Sequence, residues 1–140
     1  MDHKITTVWK DKMLLESDNP SGHNLLMETT RDFGGTGTGL SPKALMLSSL
    51  SGCTALDVLS LLKKMRVTVS YFKVVVTAQM TQEHPKYYNK VLVEYFFKAR
   101  ELNRDKLNKA VNLSVEKYCG VFEMFRQFAE VSTKVYIQEV

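Results

Sequence analysis

Residues 41–66 read SPKALMLSSLSGCTALDVLSLLKKMR, and no other stretch is as long, as apolar and as cleanly bounded. The pattern predicts one helix. Ser41 is a good N-cap, and Pro42 falls at the first helical position, where its missing N–H costs nothing. Lys63, Lys64 and Arg66 mark the other end, placed in the last turn where positive charge meets unsatisfied carbonyls. Between these ends, leucines, Met46, Ala55 and Val58 go almost all the way round, with small residues such as Gly52 among them. A helix apolar on every side is expected to be enclosed by protein, and its small residues let another backbone come close. Lys43, Asp57 and the serines interrupt the run and argue against a membrane span.

Cys53 stands in the middle of this helix, between Gly52 and Thr54, with Asp57 one turn further on. Two readings are open for it. A cysteine in an apolar helix can be a small buried hydrophobe. As a reactive thiol it needs a specific cation close by, because burial and a neighbouring carboxylate both oppose the charge of a thiolate.

The 140 residues fit one domain, 1–140, large enough to bury a core without staples. With 44% hydrophobic and 24% charged residues the composition is that of a soluble globular protein. The opening MDHKITTVWK holds no apolar run that serves as a signal peptide, so the expected location is cytoplasmic, with no membrane partner. Two cysteines without CxxC do not make a disulfide framework, though they can form a redox pair. The net charge of +4 is mild and spread along the chain, which speaks against nucleic acid. His3, His23 and His84 stand singly, so no metal is expected.

The first third reads as a meander of short strands: one around Ile5, Thr7 and Trp9, then residues 13–16 and 23–27, the last two separated by the turn SDNPSG. The loop TTRDFGGTGTGL, residues 29–40, carries four of the seven glycines and leads into the helix. It is no phosphate cradle, since Ser-Pro-Lys stands where the Walker pattern requires Gly-Lys-Ser/Thr, and no cofactor is expected. LSSLSGC is likewise not the G-x-S-x-G of a serine nucleophile elbow. After the helix, Phe72, Val74, Val76, Ala78 and Met80 share one face of a strand. Its hairpin partner places Tyr87, Val91, Val93, Tyr95, Phe97 and Ala99 on one face. A second helix starts at Asn103, with Leu102 and Leu107 at the spacing of a hydrophobic staple, and runs to Tyr118. Gly120 is expected to break it, setting Cys119 near a new helix start where N–H groups and Lys117 favour a thiolate. Tyr118, Phe122 and Phe125 line up as a core stripe or as the wall of a ligand pocket. Residues 131–137 alternate again as a final strand.

The helix stretch, the later LSVEKYCGVFEMF and the order of strands, cysteine helix, hairpin, cysteine helix and strand together resemble the OsmC and organic hydroperoxide resistance family, over essentially the whole chain. The matching residues are Pro42 opening a long helix, Gly52-Cys53 in its middle, and Cys119-Gly120-Val121 in place of a Cys-Pro-Val. The resemblance implies an α+β, OsmC-like intertwined fold, a homodimer with antiparallel sheets around a long central cysteine-bearing helix. It also implies thiol-dependent reduction of organic hydroperoxides. In that reading Cys53 attacks the O–O bond and becomes a sulfenic acid, Cys119 condenses with it to a disulfide, and an external dithiol resets the pair. Arg31, in the loop before the helix, matches the arginine that holds the thiolate, and is the cation Cys53 needs.

The chain departs from the pattern in one place. Peroxide-reducing members carry a glutamate one or two residues after the helix-opening proline, where this chain has Lys43 and Ala44. Arg31 then takes its position from Asp32, Glu28 or Asp57, or goes unpositioned. The alternative function is a non-catalytic dimer of the same fold that binds a small apolar or thiol ligand, or a partner protein.

Overall fold

The computed structural model describes residues 1–100 and 103–140. They gather into two compact units, Met1–Met46 and Leu47–Val140. In the first, three short segments pair in sequence order as an antiparallel meander, β1 (Thr7–Asp11), β2 (Leu14–Ser17) and β3 (Leu25–Glu28). The turn-forming residues between β2 and β3 do what their chemistry suggests: Asn19 accepts from the Ser21 N–H at 2.9 Å through its side chain. After β3 the chain makes a 3₁₀ turn, Arg31–Phe33, and then a glycine-rich coil. That coil is organised by Glu28. Its buried carboxylate accepts the backbone N–H groups of Thr36 (2.9 Å), Thr38 and Gly39 (2.7 Å). Gly35 is required here, because a Cβ would collide with the carbonyl oxygen of Thr29. Leu40 then returns beside β3, its N–H donating to the Leu26 carbonyl at 2.8 Å.

Helix α1 spans Pro42–Lys64, as Ser41 and Pro42 predict. Its end departs by one detail. Arg66 is not in the last turn but just beyond it, with φ 58°, the left-handed residue of a Schellman stop in which the Val67 N–H reaches the Leu62 carbonyl at 2.9 Å. The chain itself closes over only one side of this helix. Within the chain Leu50, Thr54, Val58 and Leu62 are buried, one stripe at helical spacing, while Met46, Leu56 and Leu59 are exposed. The helix is long and apolar enough to cross a membrane by length and composition. Its buried stripe is instead committed to the core of the second unit.

In that unit β4 (Tyr71–Met80) and β5 (Tyr88–Ala99) form a long antiparallel hairpin, and β6 (Glu130–Glu139) adds to the other edge of β5. The antiparallel expectation holds for the meander and the hairpin; β6 runs parallel to β5, because the helical segment between them carries the chain back to the same end of the sheet. Val91, Val93, Tyr95, Phe97 and Ala99 face the core as their alternation predicts. Tyr87 does not. A register irregularity at Gln79 and Met80 shifts the alternation, so that Tyr88 is buried and Tyr87 is 48% exposed. Helix α2 (Arg104–Leu113) is capped by the Asn103 side chain, which accepts from the Lys106 N–H at 3.2 Å. The staple residue Leu102 lies outside the described residues. Leu107, Ala110 and Val111 of α2 close the core against β5 and α1.

Candidate functional site

Two local irregularities bring the second cysteine to the first. Beyond α2 the helix widens into a π turn, Ser114–Tyr118, closed by the Cys119 N–H donating to the Ser114 carbonyl at 2.8 Å. Cys119 itself is extended (φ −78°, ψ 103°) and caps α3 (Gly120–Arg126), its Sγ accepting from the Phe122 N–H at 3.3 Å. The break therefore falls on the cysteine, and Gly120 is the first residue of the new helix. Arg126 braces the turn: its Nη2 donates to the Val115 carbonyl at 2.7 Å, and its guanidinium lies 4.6 Å from the Phe122 ring centroid.

The outcome is a cluster in which Cys53 Sγ, Cys119 Sγ and a carboxylate oxygen of Asp57 all lie within 4.8 Å of one another. Both cysteines are free thiols. Cys119 is buried and Cys53 is partly exposed. No fourth His, Cys, Asp or Glu joins the three among the described residues, so a closed structural zinc site is not built here.

The electrostatics reverse one expectation. Burial pushes the Cys119 thiol up to about 12, and the hydrogen bond with Cys53 and the Asp57 charge act the same way. The Phe122 N–H opposes them without prevailing. Lys117 gives no help, since its ammonium sits 5.3 Å from the Tyr118 ring centroid. Cys119 is thus held as a thiol despite its place at a helix start.

Asp57 is tied to the interior by hydroxyls. Its Oδ2 accepts from Ser114 Oγ at 3.1 Å; Ser114 Oγ and Thr54 Oγ1 are 2.7 Å apart, and Thr54 Oγ1 and the Tyr95 hydroxyl are 2.7 Å apart. Because a carboxylate only accepts, the chain is directed: Tyr95 donates to Thr54, Thr54 to Ser114, Ser114 to Asp57. Burial raises the Tyr95 phenol to about 12, keeping it a donor. Thr54, Ser114 and Tyr95 were not singled out as site residues from sequence. The available signal was Ser114, a hydroxyl at a core position of the stripe that holds Leu107, Ala110 and Val111.

Arg31 belongs to the first unit, where its guanidinium lies against Gly37; a Cβ there would meet Nη2, and Gly37 has φ 78°. Among the described residues Arg31 pairs with neither Glu28 nor Asp32, and Glu28 is spent on the loop backbone. The aromatic wall does not form: Phe122 and Phe125 are core residues, while Tyr118 is 51% exposed.

Known proteins share this chain's sequence and fold. Protein YhfA of Escherichia coli (strain K12) is 30% identical over 125 residues, covering 89% of this chain and 90% of that protein. The crystal structure of an OsmC like protein from Mycoplasma pneumoniae superposes with a TM-score of 0.81 at 12% identity, covering 98% of this chain and 97% of that one. That of an organic hydroperoxide resistance protein OsmC from Legionella pneumophila gives 0.68 at 14%, covering 97% of each. The family profile described as OsmC-like protein matches residues 35–134, which hold the end of the loop before α1, all of α1 and both cysteines. With most of its length matched, and with the fold and the YhfA relationship agreeing, the chain belongs to the OsmC-like protein family.

Proposed function

We propose that the chain is a thiol-dependent peroxidase that reduces organic hydroperoxides through Cys53 and Cys119, acting as a cytoplasmic homodimer. The observation that carries the reading is the pair of sulfurs within 4.8 Å of each other, one partly exposed and one buried. Cys53 takes the distal peroxide oxygen and becomes a sulfenic acid while the alcohol leaves; Cys119 then attacks that sulfur, water departs, and an external dithiol restores both thiols. Bond formation at about 2 Å requires the sulfurs to close further, and the extended Cys119 between the π turn and α3 is the part of the backbone suited to move. Arg31 is assigned to activation of Cys53 by the family resemblance. Organic hydroperoxide resistance proteins among the structural relatives share this fold.

The test is the intact mass of reduced protein before and after one equivalent of cumene hydroperoxide, followed by thiol alkylation. A loss of about two mass units with both thiols blocked is expected, abolished in Cys53→Ser and replaced by a trapped sulfenic acid in Cys119→Ser. Unchanged mass with both thiols alkylated would sink the reading. The second reading, a dimer of the same fold that binds a ligand or partner without turnover, rests on Lys43 and Ala44 in place of the family glutamate, and unchanged mass would favour it.

A further inference from the structure

We infer that Asp57 is the proton acceptor for Cys119, taking the thiol proton as that sulfur attacks oxidised Cys53. The inference rests on Cys53 and Cys119 being a redox pair, but not on the oxidant being a hydroperoxide. Three observations carry it. Cys119 is buried, caps α3, and has a thiol as its side-chain neighbour, so its nucleophilic form is not present beforehand. Asp57 is the carboxylate beside both sulfurs, within 4.8 Å of each, a span closed by one water or a small side-chain rotation. The directed chain from Tyr95 through Thr54 and Ser114 holds that carboxylate in place without supplying it a cation. Among the described residues, titratable groups facing it are Cys53 on α1, Cys119 at the start of α3 and Tyr95 on β5. Tyr95 stays protonated, so the exchange is between Asp57 and the thiols.

The step balances without a further reactant. Cys119 Sγ loses its proton to Asp57 and forms the S–S bond; the S–O bond of the Cys53 sulfenic acid breaks, and the departing hydroxide recovers the proton as water. An aryl disulfide replaces the sulfenic acid in a peroxide-free version of the same step. Cys53 forms a mixed disulfide with it, and Cys119 expels the aryl thiolate while its proton passes to Asp57 and on to solvent.

That version is the experiment. Reduced, intact protein is mixed with 5,5′-dithiobis(2-nitrobenzoate), and the two releases of aryl thiolate are followed against pH. The first reports Cys53 and the second ring closure by Cys119; Cys119→Ser must lack the ring closure. In the parent the second release is expected to be nearly flat between about pH 6 and 8. In Asp57→Asn it should slow by roughly 100-fold near neutrality and rise about tenfold per pH unit, as hydroxide replaces the lost base, with the first release still proceeding. Asp57→Glu should restore the flat profile. A second release in Asp57→Asn with the parental rate, or slowed equally at every pH, overturns the inference, the latter by showing a structural role alone. Should Asp57→Asn not fold, Ser114→Ala decides: selective slowing of the second release supports the inference and an unchanged second release overturns it. A parent that closes its disulfide with the probe but consumes no hydroperoxide removes the peroxidase reading and leaves the role of Asp57 open to the same comparison. A parent that never makes the second release overturns both.

Discussion

Thr54 has more at stake than its size suggests. Its hydroxyl lies between the Tyr95 phenol and Ser114, each at 2.7 Å, in an interior where all three residues are fully buried. Removing one member of such a chain costs little if its neighbours keep another partner, and much if they do not. Tyr95→Phe leaves Thr54 still bonded to Ser114, so a loss of about 1 kcal/mol is expected. Thr54→Val, nearly the same shape, strands the buried phenol and deprives Ser114 of a donor, and should cost about 2–3 kcal/mol. Urea unfolding followed by circular dichroism tests the order; equal losses, or a larger one in Tyr95→Phe, would show that the hydroxyls are not coupled through Thr54. The cysteines themselves were legible in the sequence because a helix with a central Gly-Cys and a later Cys-Gly-Val resembles a known pattern. Their surroundings were not: the hydroxyl contacts join residues 41 and 60 positions apart, and no local spacing encodes a pairing of that range.

At the scale of elements, the loop between β3 and α1 is held by a carboxylate, and this gives it a pH dependence. Hydrogen bonds from the Thr36, Gly39 and Thr38 N–H groups hold Glu28 down from an ordinary 4.5 to about 2. The folded value lies below the unfolded one, so the stabilisation is fully present above the unfolded value and is lost as pH falls through the folded one. The stability gap between parent and Glu28→Gln should therefore be constant above about pH 5 and close as pH approaches about 2. Denaturant unfolding of both proteins across that range checks it, and a gap independent of pH would mean the carboxylate charge does not hold the loop. The elements flanking this loop show what a sequence discloses about form. Pro42 marks the start of α1 because proline's preference for the first helical position is local chemistry, and the alternation of β5 fixes its inner face. The direction of β6 was not legible, because an alternating strand has the same pattern whether its neighbour runs parallel or antiparallel. Tyr87 was misplaced for a related reason: the irregularity that turns Tyr88 inward belongs to the pairing of two strands and to neither alone.

For the whole molecule, the two sides of α1 pose the remaining question. Leu50, Thr54, Val58 and Leu62 point into the chain's own core, and on the nearly opposite side Gly52, Leu56 and Leu59 follow helical spacing in the open. Leu56 is 69% and Leu59 45% exposed, and nothing lies within 4 Å of where a Gly52 Cβ would be. A glycine in mid-helix destabilises the helix by roughly 0.5–1 kcal/mol relative to alanine, which nothing within the described chain offsets. A second copy of the same helix would offset it, because backbones approach closely at glycine and each leucine then buries against its symmetry mate. Burying a leucine gains about 1.5–3 kcal/mol, and a two-fold axis counts each position twice. The parent is therefore expected to sediment at twice the chain mass at micromolar concentration, and Leu56→Glu with Leu59→Glu to sediment as a monomer that keeps its helical circular dichroism. Gly52→Leu provides an independent arm: in a monomer the added side chain meets open space and should be tolerated, whereas in a close helix pair it forces the backbones apart and weakens association. A parent that stays monomeric, with Gly52→Leu indistinguishable from it, would mean that this face is not where two copies meet.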